Sequence, residues 1–255
     1  MVKFSDYQFK FKYIQFRRED GILEMAIHHG GEHALWGFED GGIHDELGEA
    51  FYQIGRDREN RVVIFTGTGD VFLQEFDFSQ ISGPMVLTPA FWDRIYKEGK
   101  DLIHNLLEIE VPVIGAVNGN AWIHSELVVL SDIVLAAEGA SFADKAHFPM
   151  GAVPGDGVQL AWSMLIGPNR SRYFFLTGQE IDAHEAQRLG VVAEVLPAAS
   201  LKARAWTLAR ELAKKPDLLL RYSRGAMTMD IKRRMAQDLS HGLLYEGLAM
   251  MTPAG

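Results

Sequence analysis

The chain has 255 residues, of which 47% are hydrophobic, and a formal net charge of −9. This length can bury a large core, and the acidic balance with scattered Lys and Arg argues against a nucleic-acid surface. The sequence contains no cysteine, which excludes disulfides, thiolate metal sites, iron–sulfur clusters and cysteine nucleophiles. No signal-peptide core and no stretch of ~20 apolar residues is visible, so we expect a cytoplasmic protein without membrane partners.

The first half of the chain alternates between strand and helix patterns. A hairpin, three further apolar strands and two amphipathic helices are predicted. The strands cover 14–17, 22–28, 62–66, 113–117 and 133–137, and the helices cover 43–54 and 89–107. This alternation is typical of a layered α/β domain.

Helical patterns dominate beyond Gly157. The spacing of apolar residues predicts helices over 158–165, 171–176, 183–189, 201–213 and 217–242, with one last strand over 191–195. We therefore expect residues 1–196 to form the core of the fold. Residues 197–255 are expected to form a helical region that packs on this core or on a neighbouring subunit.

The stretch over 111–157 combines buried-strand patterns with ionisable side chains. Ligands in α/β folds tend to bind beyond the carboxyl ends of parallel strands. After the strand over 113–117, that position belongs to Asn118, Gly119, Trp122, His124 and Glu126. Further along, a polar loop carries His147 and a Gly-Asp-Gly turn with Asp156. A loop of this length that holds such residues is a candidate site.

Metal and phosphate sites are weaker interpretations of the same residues. Two histidines, an aspartate and a glutamate could bind zinc, but these histidines do not stand one helical turn apart, so we expect no metal. The turns at 67–69 and 155–157 lack the lysine and hydroxyl residue that follow the glycines of a P-loop. Turn formation explains their glycines better.

Five segments resemble the crotonase, or enoyl-CoA hydratase/isomerase, superfamily. In the family's usual order they are VVIFTGTGDVFLQEFDF, VPVIGAVNGNAW, SDIVLAAEGASF, MGAVPGDG and FFLTGQEIDAHEAQRLGVVAEVLP. The resemblance covers residues 14–196. It implies an α/β fold built as a spiral of strand–strand–helix units, followed by a C-terminal helical trimerisation region. It also implies a homo-oligomer, either a trimer or a dimer of trimers.

The departures from that family pattern concern the residues that carry chemistry. Where the family has a glycine run whose backbone binds a thioester oxyanion, residues 123–125 are Ile-His-Ser, which obstructs close backbone approach. Glu126 falls on the position of the family's first catalytic glutamate. His147 takes the place of the second glutamate, and Asp156 stands where a small residue is usual.

These replacements, together with Trp36 and Glu246, resemble the β-diketone hydrolase branch of the superfamily, which includes 6-oxocamphor hydrolase. The resemblance implies cofactor-independent, retro-Claisen cleavage of a cyclic 1,3-diketone to a keto acid. Histidine suits a general base because its ordinary pKa of about 6.5 lies near working pH. We expect His147 with Asp156 to activate water, Trp36 and His124 to bind the carbonyl oxygens, and Glu246 to orient the water or assist proton return.

Two other functions stay open on the sequence alone. One is a hydratase, isomerase or hydrolase that acts on CoA thioesters, as is usual in the superfamily. The other is a crotonase-fold protein without catalytic activity. Four aromatic residues are core candidates that could also line an apolar pocket, namely Phe76, Phe78, Phe91 and Trp122.

Overall fold

The computed structural model describes residues 2–79 and 87–251. Six strands form the main sheet, and in spatial order they are β1 (Ile14–Glu19), β2 (Ile22–Ile27), β4 (Val62–Gly67), β6 (Val113–Val117), β7 (Ile133–Ala137) and β10 (Glu194–Leu196). β1 and β2 pair antiparallel, and every later neighbour pairs parallel. The predicted hairpin is thus confirmed, and the parallel strands end at one edge of the sheet.

Short strands follow the main strands along the chain. β3 (Leu35–Trp36) pairs parallel with β5 (Glu75–Phe76), and β8 (Ser141–Phe142) pairs antiparallel with β9 (Ile181–Asp182). Ala121 connects these rows, because it makes single bridges to Leu73 and to Phe142. The chain therefore repeats a unit of long strand, short strand and helix.

Ten α-helices occur in the described residues. They are α1 (Phe4–Tyr7), α2 (Ile43–Arg56), α3 (Pro89–Glu108), α4 (Glu126–Val129), α5 (Val158–Ile166), α6 (Pro168–Thr177), α7 (Ala183–Arg188), α8 (Ala198–Ala213), α9 (Asp217–Met227) and α10 (Met229–Met250). The predicted helices over 43–54 and 89–107 are confirmed as α2 and α3, which pack against each other. Thr88 caps α3, since its hydroxyl accepts a hydrogen bond from the Phe91 amide at 3.1 Å.

Two predicted elements near the C-terminal end are corrected. The helix over 217–242 breaks at Thr228, where the backbone reaches φ −92° and ψ 0° and the hydroxyl donates to the Arg224 carbonyl at 2.8 Å. The strand over 191–195 is β10, Glu194–Leu196. Its first residues are not in the sheet because the Val191 and Val192 amides donate to the Ala186 carbonyl at the end of α7.

The C-terminal helices pack on the rest of this chain. α8 lies against β4, β6 and β7, whereas α10 packs against α3 and α5. Gly155 and Gly242 allow α10 to approach the loop after β8, because a Cβ at Gly242 would overlap the Gly155 carbonyl oxygen. This contact brings the last turns of α10 to the loop that carries Asp156. None of the helices in the described residues combines the length and the apolar character needed to cross a bilayer.

Candidate active site

A cavity lies among α2, α3, α10 and the loops that follow β6 and β8. The cavity has a volume of about 50 Å³, which favours a compact ligand. Most of its lining is apolar, including Phe38, Phe76, Leu87, Phe91, Trp92 and Ile95. The ionisable residues that line it are His44, His124, Glu126, His147, Asp156 and Glu246. The site therefore combines an apolar wall with a compact group of histidines and carboxylates.

His124 follows β6 and contacts two carboxylates through one ring nitrogen. Its Nδ1 lies 2.9 Å from Glu126 Oε1 and 2.7 Å from Asp156 Oδ2. Of these two contacts, the one to Glu126 has the geometry of a hydrogen bond, so Asp156 interacts with His124 as an ion pair. Burial alone would lower the pKa of His124, but the charges of Glu126 and Asp156 outweigh it and raise the pKa to about 10. His124 is thus a cation at neutral pH.

His147 stands at the start of a 3₁₀ turn, Phe148–Met150, and contacts carboxylates through both ring nitrogens. Nδ1 lies 2.7 Å from Asp144 Oδ1, while Nε2 lies 3.3 Å from Asp156 Oδ2 and 3.8 Å from Glu246 Oε1. Burial opposes the charged imidazole, yet Asp156 and Asp144 outweigh burial and hold the pKa of His147 well above its ordinary value. Its Nε2 side therefore faces the other ionisable residues of the cavity.

The carboxyl groups of the site differ in their pKa values, so that some are charged and others are protonated at neutral pH. Burial favours the neutral form of Asp156, but the positive charges of His147 and His124 prevail and hold its pKa well below the usual range. For Glu246, burial is the main cause that raises the pKa, to about 8. Burial and the charge of Asp156 raise the pKa of Glu126 to about 7. Glu246 is therefore mainly protonated at neutral pH and can donate a proton.

Trp36 lies at the end of β3, behind His124. Its side chain is fully buried, and its ring centroid lies 4.0 Å from that of His124 with an interplanar angle of 32°. Trp36 is not among the described residues that line the cavity. Its Nε1 is buried and has no hydrogen-bond partner within the described residues. A buried donor without a partner is costly unless a ligand satisfies it.

The structure brings the predicted residues together to different degrees. His124, His147, Asp156 and Glu246 form one cluster, and the Trp36 ring packs against His124 at the edge of this cluster. Their chemical roles, including the pairing of His147 with Asp156, stay predictions.

Other residues that the sequence placed near the site serve the fold instead. The side chain of Asn118 bonds to the backbone at Gly67, Gly69 and Val71. Trp122 donates its indole N–H to Ser141 Oγ at 2.8 Å. Among the aromatic candidates, Phe76 and Phe91 line the cavity, whereas Phe78 is 54% exposed.

Two polar residues of the site were not among those singled out from the sequence. Asp144 forms a hydrogen bond with His147. The only hint of this contact in the sequence was that Asp144 lies three residues before His147 in the same loop. His44 lines the cavity, and its Nδ1 lies 2.9 Å from Glu98 Oε2. Burial lowers the pKa of His44, so this imidazole is neutral at neutral pH. The spacing of apolar residues predicted which face of α2 is buried, but it did not predict that a cavity lies beside this face.

Three residues of the cluster could hold a cation. One donor atom each of His124, Glu126 and Asp156 lies within 4.8 Å of the others. Oxygen and imidazole ligands of this kind suit several divalent metals. The same contacts have the lengths of hydrogen bonds and ion pairs, so a proton on His124 Nδ1 satisfies them equally well. The expectation that the protein uses no metal stays a prediction.

The model of the enoyl-CoA hydratase/isomerase family matches residues 19–243. The chain belongs to this family. A probable peroxisomal enoyl-CoA hydratase of Arabidopsis thaliana is 28% identical over 202 residues, which are 79% of this chain and 72% of that protein. A carnitinyl-CoA dehydratase of Citrobacter koseri is 30% identical over 220 residues, which are 81% of this chain and 77% of that protein. The predicted membership of the crotonase superfamily is confirmed.

Several solved structures resemble the chain over nearly its full length, and one of them has a described ligand. It is a β-diketone hydrolase from the cyanobacterium Anabaena sp. PCC 7120 bound to (S)-3-oxocyclohexyl acetic acid. It is 44% identical in sequence, has a TM-score of 0.92 and covers 96% of this chain and 97% of that chain. The predicted fold class, an α/β crotonase fold with C-terminal helices, is confirmed by these matches.

Proposed function

We propose that the protein is a β-diketone hydrolase that cleaves a carbon–carbon bond of a compact, cyclic 1,3-diketone to give a keto acid. The observation that carries this proposal is the 44% identity to the Anabaena β-diketone hydrolase over 96% of the chain. The apolar cavity wall supports a cyclic, uncharged substrate. The histidine–carboxylate cluster supports hydrolysis without an organic cofactor or a metal.

The first step is the addition of water to one carbonyl carbon. His147 takes one proton from the water through Nε2, while the water oxygen forms a new bond to the carbon. Because its pKa is raised, the neutral imidazole of His147 is a stronger base than an ordinary histidine. Asp156, which lies 3.3 Å from Nε2, stabilises the imidazolium that forms. This step leaves a negative charge on the former carbonyl oxygen.

That oxyanion needs donors, and two are available beside the cavity. His124 remains a cation at neutral pH and supplies positive charge and an N–H. The indole N–H of Trp36, for which residues 2–79 and 87–251 offer no hydrogen-bond partner, supplies a second donor to a diketone oxygen. Trp36 reaches the ligand only if the substrate displaces part of the packing around His124, since Trp36 is fully buried.

The carbon–carbon bond then breaks as the tetrahedral adduct collapses. The bonding electrons pass to the central carbon of the diketone and are delocalised onto the second carbonyl as an enolate. The former carbonyl carbon becomes a carboxylic acid that keeps the added oxygen. A proton from Glu246, mainly protonated at neutral pH, returns to carbon, and Glu246 recovers a proton from His147 at a separation of 3.8 Å. The net reaction is diketone plus water to keto acid.

The surface of the C-terminal helices suggests assembly. α9 and α10 expose apolar side chains of which more than half is accessible, including Leu218, Leu219, Tyr222, Leu244, Tyr245 and Leu248. Large exposed apolar patches are typical of association surfaces. This surface supports a homo-oligomer. The family resemblance implies a trimer or a dimer of trimers, and we keep the cytoplasm as the proposed location. The division into a core over 1–196 and a helical region over 197–255 remains an interpretation.

The substrate class is tested by turnover. The purified protein is given a panel of mono- and bicyclic 1,3-diketones, with loss of enol absorbance or formation of keto acid as the readout, and separately crotonyl-CoA. We expect cleavage of at least one diketone and no hydration of crotonyl-CoA. Hydration of crotonyl-CoA without diketone cleavage would identify a CoA-thioester enzyme. A protein that is inactive on both kinds of substrate, and whose His147→Ala variant is indistinguishable from wild type in every assay, would favour a non-catalytic role.

A further inference from the structure

We propose that Asp144 is the positioning residue for His147: it holds Nδ1 protonated and thereby leaves the lone pair of Nε2 facing the substrate cavity. This inference rests on the proposed function and assigns to Asp144 a task that the sequence suggested for Asp156. The two carboxylates contact opposite ring nitrogens, so they cannot share that task.

The Asp144–His147 contact is short, buried and held from both sides. Nδ1 and Oδ1 are 2.7 Å apart, and the two residues are 1% and 2% exposed. The backbone on each side of Asp144 is fixed, because the Ala143 amide donates to the Ala121 carbonyl and the Lys145 amide donates to the Trp122 carbonyl. The backbone of Asp144 is therefore fixed in the position from which its carboxylate contacts the His147 ring.

The His147 end of the contact is also fixed. Its carbonyl accepts hydrogen bonds from the amides of Met150, at 2.8 Å, and Ala152, at 3.0 Å. The backbone at His147 has φ −111° and ψ −96°. With the backbone held and Nδ1 bonded to Asp144, the opposite edge of the ring points toward Asp156 and Glu246. Only Nε2 can then meet a water molecule in the cavity.

Asp156 is placed for a different task. Its Oδ2 lies closer to His124, at 2.7 Å, than to His147, at 3.3 Å, and its Oδ1 accepts from the Val158 amide at 3.2 Å. A carboxylate on the Nε2 side cannot select the tautomer that a base needs, since a proton shared with it would occupy the nitrogen that must accept one from water. Asp156 instead supports both imidazolium ions.

The charge of Asp144 also acts on the protonation of His147. Asp144 Oδ2 has no hydrogen-bond partner in the described part of the chain, so no other donor there offsets its charge. The titratable groups around the His147 ring are Asp144, Asp156, Glu246, His124 and Glu126. Removal of one negative charge from this group lowers the pKa of His147. Below its pKa the imidazole cannot accept a proton, so the acid limb of activity follows that pKa.

The test compares Asp144→Asn with Asp156→Asn on a diketone that the wild type cleaves. For Asp144→Asn we expect kcat to fall on the order of 100-fold with KM nearly unchanged, and the acid limb of kcat/KM to move to lower pH. Asp144→Glu should restore part of kcat. An Asp144→Asn enzyme within twofold of wild type and with an unmoved acid limb would overturn the proposal. The proposal would also be overturned if only Asp156→Asn showed the lower kcat, the nearly unchanged KM and the acid limb at lower pH.

A measurement on the unmutated protein guards against variants that fail to fold. In protein with ¹⁵N-labelled histidine, we expect the neutral form of His147 to carry its proton on Nδ1. A neutral His147 protonated on Nε2 would overturn the proposal. Failure of the proposed function itself looks different, since the wild type would then cleave no diketone, or His147→Ala would cleave it as well as wild type does.

Discussion

His124 and His147 are both buried between two carboxylates, yet the carboxylates are arranged differently. Those of His124 crowd onto a single nitrogen, Nδ1, at 2.9 Å and 2.7 Å. Those of His147 lie on opposite nitrogens, at 2.7 Å and 3.3 Å. The first arrangement keeps a cation in place, whereas the second leaves one nitrogen toward the cavity. In the proposed mechanism, two histidines whose ring centroids lie 5.6 Å apart have different tasks, one as oxyanion donor and one as base.

The largest expected effect comes from removing the base. His147→Asn keeps a polar side chain but no group that takes a proton from water, so we expect kcat on a cyclic diketone to fall by at least about 1,000-fold. His241→Asn is the matched control, because His241 is an exposed histidine on α10. Steady-state kinetics and circular dichroism check the pair. A His147→Asn enzyme that is folded and retains more than a tenth of wild-type kcat would contradict the assignment of the base.

Loss of the cationic donor should cost less. In His124→Asn the positive charge is gone while a shorter amide donor remains, and we expect kcat to drop roughly 100-fold. The loss should fall on kcat more than on KM, because the charge on the oxygen develops in the transition state. If KM rises and kcat does not change, His124 binds substrate but does not stabilise the oxyanion.

The two histidines also predict how activity depends on pH. His147 is an imidazolium below its raised pKa and becomes a base only above it, so kcat/KM should rise with pH. The rise should be about tenfold per pH unit on the acid side, with a midpoint above the ordinary value of about 6.5. Since the pKa of His124 is about 10, its charge persists over this range. An acid limb centred below pH 6 would be inconsistent with the two carboxylates on His147.

A smaller effect is expected where α10 meets the Asp156 loop. Gly242→Ala places a Cβ against the Gly155 carbonyl and should push Glu246 away from His147. We expect about a tenfold loss of kcat and a loss of about 1–3 kcal/mol in the free energy of unfolding. Gly225→Ala on α9 is the control, because within residues 2–79 and 87–251 no atom outside the backbone of its own helix lies within 4 Å of the added Cβ. This substitution should stabilise by roughly 0.5–1 kcal/mol. Equal effects of the two substitutions would show that the close approach does not matter.

The sequence predicted the framework more fully than the site. β6 and β7 were predicted at their observed bounds, Val113–Val117 and Ile133–Ala137, because short apolar runs rich in β-branched residues and bounded by turn residues are typical of buried strands. The break between α9 and α10 was missed because Thr228 is compatible with a helix by local propensity. Hydrophobic periodicity predicts which face of a helix is buried. It does not predict which side-chain hydroxyl donates a hydrogen bond to a backbone carbonyl of the preceding turn.

The same limit applies to the site. The family resemblance selected His124, His147 and Asp156, and the structure does place these three in one cluster. Which carboxylate meets which nitrogen depends on how the loop after β8 folds over the Ala121 segment, and no spacing rule encodes that. For this reason Asp144 and His44 became visible as site residues only in three dimensions.

Cleavage of a cyclic 1,3-diketone in ¹⁸O-enriched water tests the central claim most directly, with wild type and His147→Asn compared side by side by mass spectrometry. The account predicts that wild type forms a keto acid with one ¹⁸O in its carboxyl group at the first turnover, and that His147→Asn forms this product at least about 1,000-fold more slowly. Unlabelled carboxyl product, or equal rates of labelling by the two proteins, would contradict it.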